Sequence, residues 1–156
     1  MCVAYYESPL GKMLLRAENG LLTELRFAED EVKENSCEAL EQTKKWLDIY
    51  FSGKIPEFTP AVKLIGTEFQ KSVWQLLMEI PYGHTASYGD LAAKIAKQRG
   101  LEKMSSRAVG AAAGKNPILL IVPCHRLIGS NGSLTGFAAG IERKRELLRI
   151  ENSLLL

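Results

Sequence analysis

The chain has 156 residues, of which 46% are apolar and 24% charged, and a formal net charge of +2, the make-up of an ordinary folded protein rather than a disordered or fibrous one. No apolar run approaches the roughly 18 residues of a membrane span, and the N-terminus, with Glu7 close to its start, has no basic-then-apolar leader pattern, so a cytoplasmic chain without a membrane partner is expected. Three cysteines, Cys2, Cys37 and Cys124, are too few and too scattered for a disulfide framework, and with no Cys-x-x-Cys pair and only His84 and His125 there is no closed four-ligand zinc set; no metal is expected.

Residues 1–27 read as strands. CVAYYES and MLLRAEN flank the turn segment PLGK, and LLTELRF follows the punctuation at Asn19-Gly20. A helix is predicted from Ser36, as N-cap, to a stop at Gly53, with Leu40, Trp46, Leu47, Tyr50 and Phe51 largely on one face. Residues 52–66 carry Pro56, Pro60 and two glycines, and read as a linker. The domain boundary is placed there, giving domains 1–62 and 63–156.

The second half is richer in helices. Thr67-x-x-Gln70 has the capping-box pattern of a helix that turns Phe69, Val73, Trp74, Leu77 and Ile80 inward and stops at Pro81. Ser87-x-x-Asp90 opens the next, through LAAKIAKQ. After a bend around Arg99-Gly100, Ser105 or Ser106 caps a third, RAVGAAAG. ILLIV is strand-like, Asn131-Gly132 suggests a tight reversal, and IERKRELLRIE is an amphipathic helix with Ile141, Leu147, Leu148 and Ile150 available for burial.

Charge is unevenly shared. Residues 1–62 hold seven Lys and Arg against eleven Asp and Glu, whereas residues 63–156 hold thirteen against seven. This is either ordinary solvation of two surfaces or a second half that meets a polyanion. The two short helices joined by a bend resemble a helix-turn-helix. The second is odd for a base reader, because after Arg107 it offers only Ala108, Val109, Gly110, Ala111, Ala112, Ala113 and Gly114. Such a helix approaches another surface closely, and by itself the pattern favours packing on a neighbouring helix.

Chemistry concentrates in IVPCHRLIGSNGSLTG, residues 121–136. Cys124 reads as an inert buried thiol or as a nucleophile, and a nucleophile needs its pKa depressed, here by His125, Arg126 and the cationic region that follows. Neighbouring side chains of a strand point to opposite faces. Pro123 fixes its own φ, so the chain is expected to turn at Cys124, with His125 reaching the sulfur obliquely through a water. His125 in turn needs an acidic orienter; Glu151 on the last helix is the best-placed candidate and Asp90 the alternative.

These residues carry a family resemblance. PCHR behind ILLIV, with Asn116-Pro117 ahead of the cysteine and RAVG further upstream, resembles the O6-alkylguanine-DNA alkyltransferases, the methylated-DNA–protein-cysteine methyltransferases, in their bacterial wording. The likeness runs from GTEFQKSVWQLLMEIPYG through SYGDLAAKIA and SSRAVGAAAGKNP to IERKRELL. It implies an α/β protein of two domains: a small ribonuclease-H-like sheet-plus-helix domain, then a winged-helix-like helical domain with a helix-turn-helix.

The resemblance also implies a function. Cys124 accepts the alkyl group of O6-alkylguanine, or of O4-alkylthymine, in a single turnover, with no cofactor. His125 deprotonates it through a water, Glu151 holds His125, Asn116 orders the turn, and Tyr88 donates to the leaving guanine. The partner is double-stranded DNA with the damaged nucleotide flipped out, Arg107 filling the gap. Ala108, Gly110, Ala111 and Gly114 then lie in the minor groove without reading sequence, and Ser130 contacts a phosphate. A monomer is expected. Two departures from the family's wording stand out: KQRGLEKM lengthens the bend between the helices, and FAAG stands where many bacterial relatives have YAGG. Rival readings are a non-enzymatic damage binder and a cysteine hydrolase; the first lacks the nucleophile present here, and the second needs an oxyanion hole that the sequence does not suggest.

Overall fold

The structure, a computed structural model, describes residues 1–29, 31–134, 137 and 139–151. It divides into two units: Met1–Ile65 together with Pro117–Leu119, and Gly66–Asn116 together with the chain from Leu120 onward.

The first unit is built on an antiparallel meander of β1 (Cys2–Ser8), β2 (Gly11–Glu18) and β3 (Leu21–Phe27), in the order β1-β2-β3. The reversal between β2 and β3 uses Asn19 and Gly20 with φ of 51° and 77°, the paired positive φ that a two-residue hairpin loop requires. Met13, Leu14 and Leu15 of the central strand are all fully buried, so both faces of that strand are covered there. Helix α1 (Glu38–Phe51) buries Leu40, Thr43, Trp46, Leu47 and Tyr50, close to the predicted stripe.

Two expectations for this unit need correction. The N-cap is Cys37, not Ser36; the Ser36 hydroxyl donates instead to Glu41 at 2.5 Å. Cys2 and Cys37 form a disulfide, Cα atoms 5.9 Å apart. The backbone between Val3 and Asn35 is bonded in both directions, which brings the start of β1 beside the start of α1 despite 35 residues of separation. Pairing of that kind is set by tertiary register and leaves no mark on cysteine spacing.

The second unit holds α2 (Glu68–Leu77), α3 (Tyr88–Arg99), α4 (Ser106–Gly114) and α5 (Ile141–Ile150). Both capping boxes form: the Thr67 hydroxyl accepts from Gln70 N and the Ser87 hydroxyl from Asp90 N, each with the reciprocal side-chain bond. α3 ends at Gly100 in the left-handed region, φ 67°, where a glycine is unstrained. Ser105, the first of the two candidate caps, accepts from Ala108 N to open α4. Val109, Ala112 and Ala113 of α4 are buried, and Trp74 Nε1 donates to Ala112 O at 2.9 Å, tying α2 to α4.

ILLIV is not a strand. Only Ile118 makes a bridge, to Leu25, and the following residues turn, with Leu120 at φ 70°. All five side chains are buried. The run is apolar because it is enclosed on every side, which a strand pattern mimics. The Asn131-Gly132 reversal is present, with Gly132 at φ 82° and its N–H donating to Gly129 O. On α5, Leu147 and Leu148 are buried as expected, but Ile141 is 44% exposed and the fully buried residue of that first turn is Lys144.

Candidate active site around Cys124

Two local features turn the PCHR segment into a site. Cys124–Arg126 forms a single 3-10 turn after Pro123, so the chain does turn at the cysteine. Leu127–Ile128 (β5) then pairs in parallel with Ala86–Ser87 (β4), register Ala86 to Leu127 and Ser87 to Ile128. This short ladder, absent from the sequence reading, sets the residue after Ser87, Tyr88, beside the turn that carries Cys124.

Cys124 is 8% exposed. Asn116 Nδ2 donates to Cys124 Sγ at 3.2 Å and to Val122 O at 2.6 Å, so one amide both fixes the turn and solvates the sulfur. Burial nonetheless pushes the thiol pKa up to about 11, against the Asn116 bond and the Lys144 charge, which lower it. The expected depression is therefore corrected: at rest the sulfur is a thiol, because desolvation outweighs its polar neighbours.

His125 is fully buried and its imidazole is held in the neutral form by burial, against the pull of Glu151. Its Nε2 lies 2.6 Å from Glu151 Oε2. Glu151, at the C-cap of α5, accepts further bonds from Arg126 Nε at 2.8 Å, from the second guanidinium nitrogen at 3.2 Å and from Gly83 N at 3.3 Å. Burial alone raises the Glu151 pKa, but His125 and Arg126 outweigh it and leave it at about 2. Arg126 also donates to Ile80 O at 2.7 Å. Sequence reasoning took Arg126 as an acidifier of the thiol; the structure spends its hydrogen bonds on the carboxylate and a carbonyl. Of the two candidate orienters, Glu151 is the one at His125, while the Asp90 carboxylate accepts from Ser87 N in the capping box that opens α3.

Tyr88 is partly buried; burial first, and the neighbouring Cys124 second, raise its hydroxyl pKa. Gly110 of α4 fits against its ring: a Cβ there would stand 3.3 Å from Tyr88 Cε1. Lys144, unnoticed in sequence, donates to Leu127 O and stands 5.9 Å above the Tyr88 ring centroid. Its signal was its spacing, seven residues before Glu151 and so on the same face of α5.

Of the residues expected on the DNA face, Gly110 meets the cluster at the Tyr88 ring. Arg107 and Ala111 are exposed on α4, Ala108, Gly110 and Gly114 are half-buried, and Ser130 is exposed on the loop after β5. The FAAG stretch is described at Phe137, which is buried, and at Ala139 and Gly140; Ala138 lies outside the described residues.

Family models match both units: the ribonuclease-like domain of 6-O-methylguanine DNA methyltransferase over residues 1–64, and its DNA-binding domain over residues 68–153. The chain belongs to this methyltransferase family. It is 42% identical to the methylated-DNA–protein-cysteine methyltransferase of Methanosarcina acetivorans, over 98% of this chain and 99% of the relative. Identity is also 42% with the Mycobacterium bovis protein of that name, over 94% and 90%. Among solved structures it resembles Mycobacterium tuberculosis OGT in complex with DNA, with a TM-score of 0.81 and 42% identity over 96% of this chain and 91% of that one. Among the described residues, no helix is long and apolar enough to cross a membrane, and no group of three or more His, Cys, Asp or Glu could hold a metal ion.

Proposed function

We propose that this chain, as a methylated-DNA–protein-cysteine methyltransferase, reverses O6-alkylguanine damage in double-stranded DNA by moving the alkyl group irreversibly onto Cys124. The observation that carries the assignment to this residue is the chain of contacts Asn116–Cys124 and His125–Glu151–Arg126, built on one turn of backbone. With Nε2 donating to the ionised Glu151, the imidazole keeps its lone pair on Nδ1, where it takes the thiol proton through a water. Asn116 holds the sulfur as it becomes anionic. Sγ then attacks the alkyl carbon; the S–C bond forms as the C–O6 bond breaks, and its electron pair passes into the guanine. The proton that leaves the thiol balances the one that the guanine ring gains, with Tyr88 donating a hydrogen bond to the leaving base.

A thioether cannot return the group, so each molecule acts once. The raised thiol pKa suits such a protein: the nucleophile is generated at the moment of transfer, and an idle site stays poorly reactive toward other electrophiles.

Access to the base requires extrahelical presentation. Arg107 fills the vacated stack, and Ala108, Gly110, Ala111 and Gly114 give α4 a low profile in the minor groove, with Ser130 on a phosphate. Residues 63–156 form the winged-helix-like DNA-binding alkyltransferase domain and residues 1–62 a ribonuclease-H-like domain that supports it, working as a monomer in the cytoplasm and without a cofactor. Stoichiometry tests the reading. Incubation with excess methylated duplex should plateau at one methyl per protein, with the added mass on the peptide containing Cys124. A plateau well above one, or an adduct elsewhere, refutes it.

A further inference from the structure

The cysteines divide into a joined pair near the surface and one enclosed thiol. Cys2 and Cys37 are half-buried and bonded to each other across 35 residues of sequence, whereas Cys124 is buried and free. In the cytoplasm proposed above for this chain, disulfides are usually transient, forming while an oxidant is present. A pair sealed in a core could meet a reductant only after unfolding, because exchange needs access to a sulfur. This pair is placed differently: residues 31–37 are exposed except at Val32 and Cys37, which are half-buried.

The two sulfurs do not depend on their bond to stay close. Val3 N–H donates to Asn35 O at 3.0 Å and Asn35 N–H to Val3 O at 2.8 Å. Tyr5 N–H donates to Glu34 Oε1 at 2.9 Å, and Val32 N–H to the Tyr5 hydroxyl. These contacts lay residues 32–35 along β1 between the two cysteines, so opened thiols remain neighbours and closure is intramolecular. Cys124 differs in reactivity as well as place. Burial pushes its pKa up to about 11, and the thiolate, which it then lacks, is the form that oxidants attack.

We propose that Cys2 and Cys37 form a reversible two-electron redox site, closed by hydroperoxides and opened by low-molecular-weight thiols, which fastens or frees residues 31–37 while Cys124 stays reduced. In closure by hydrogen peroxide, one thiolate attacks an oxygen; its S–O bond forms as the O–O bond breaks, and the departing hydroxide takes up a proton to leave as water. The second sulfur then displaces the sulfenic oxygen, so that the S–S bond forms and a second water leaves. The two thiols lose two electrons and two protons, and the peroxide is reduced to two waters. In opening, one reductant thiol attacks a sulfur, a second resolves the mixed disulfide, and the reductant leaves as its own disulfide. The site lies within the first unit and goes beyond alkyl transfer.

The test takes full-length wild type, reduces it, adds equimolar hydrogen peroxide, then denatures it in iodoacetamide and maps the peptides by mass spectrometry. The peptides of Cys2 and Cys37 should be recovered joined and Cys124 labelled, with thiols lost from the pair at least about tenfold faster than from Cys124. Millimolar reduced glutathione should reopen the pair in the folded protein. The closed form should melt ~10 °C above the open one, because the bond closes a long loop, and C2S should melt with the open form whatever the oxidant. A pair that resists glutathione until the protein unfolds is a fixed staple and overturns the proposal. So do loss of Cys124 in step with the pair, and closed and open forms that melt alike. None of these readouts depends on methyl transfer, so a failure of Cys124 to accept a methyl group is told apart from a failure here.

Discussion

At the scale of single residues, Glu151 is the most heavily committed side chain of the site. Its four hydrogen bonds come from an imidazole, a guanidinium and a backbone amide, so removing its charge leaves Arg126 buried without its counter-ion. E151Q should lower stability by ~3–5 kcal/mol, read from the urea midpoint, and should slow transfer as well. The pH dependence follows from its depressed pKa. Because the folded value, about 2, lies below the ordinary value of 4.5, Glu151 contributes stability above pH 4.5 that is lost as the pH falls towards 2. Acid titration of the wild type should lose that contribution over this window, and E151Q should show a shallower fall. Identical slopes would contradict the carboxylate's role.

Among the elements, α4 makes way for its neighbour at one residue: Gly110 leaves room for the Tyr88 ring on its flank. In a helix interior, alanine is favoured over glycine by ~1 kcal/mol, so G110A should keep its thermal stability within about that amount. The added methyl at 3.3 Å must push the Tyr88 ring, and the expected result is slower transfer in a protein as stable as the wild type. A drop in stability with unchanged transfer would mean that the ring does not need this seat.

The same elements show what the sequence discloses. Capping boxes at Thr67 and Ser87 are local chemistry, fixed by residues three apart, and both were legible. So were the hairpin at Asn19-Gly20 and the PCHR turn. Long-range relations were not: the pairing of Cys2 with Cys37, the β4–β5 ladder and the burial of Lys144 depend on which segments meet. ILLIV misled because enclosure on all sides and a strand in a core leave the same apolar run. The thiol pKa misled for a related reason: adjacent cations are visible in a sequence, whereas desolvation is a property of the packed site.

For the molecule as a whole, the uneven charge is its largest-scale feature, with the excess of Lys and Arg confined to the second half. If that excess neutralises phosphates, affinity for undamaged duplex should drop about tenfold between roughly 50 and 200 mM salt for only two phosphates engaged, and more for each further one. Fluorescence anisotropy with a labelled duplex measures the slope; a salt-independent affinity would exclude phosphate neutralisation as its source. Sequence changes in undamaged duplex should matter little, because α4 offers almost no side chain that could read a base edge.

The return of Pro117–Leu119 to the first unit has a consequence for synthesis. Leu25 N–H donates to Pro117 O and Leu25 O accepts from Leu119 N, so the Leu25 end of the β3 edge waits for residues made some ninety positions later. While the ribosome is still extending the middle of the chain, that edge is open to stray strands. Residues 61–63 cover its Leu22 end early, but the Leu25 end closes only when Pro117–Leu119 emerge, so a nascent chain interrupted before that segment leaves its first unit half sealed.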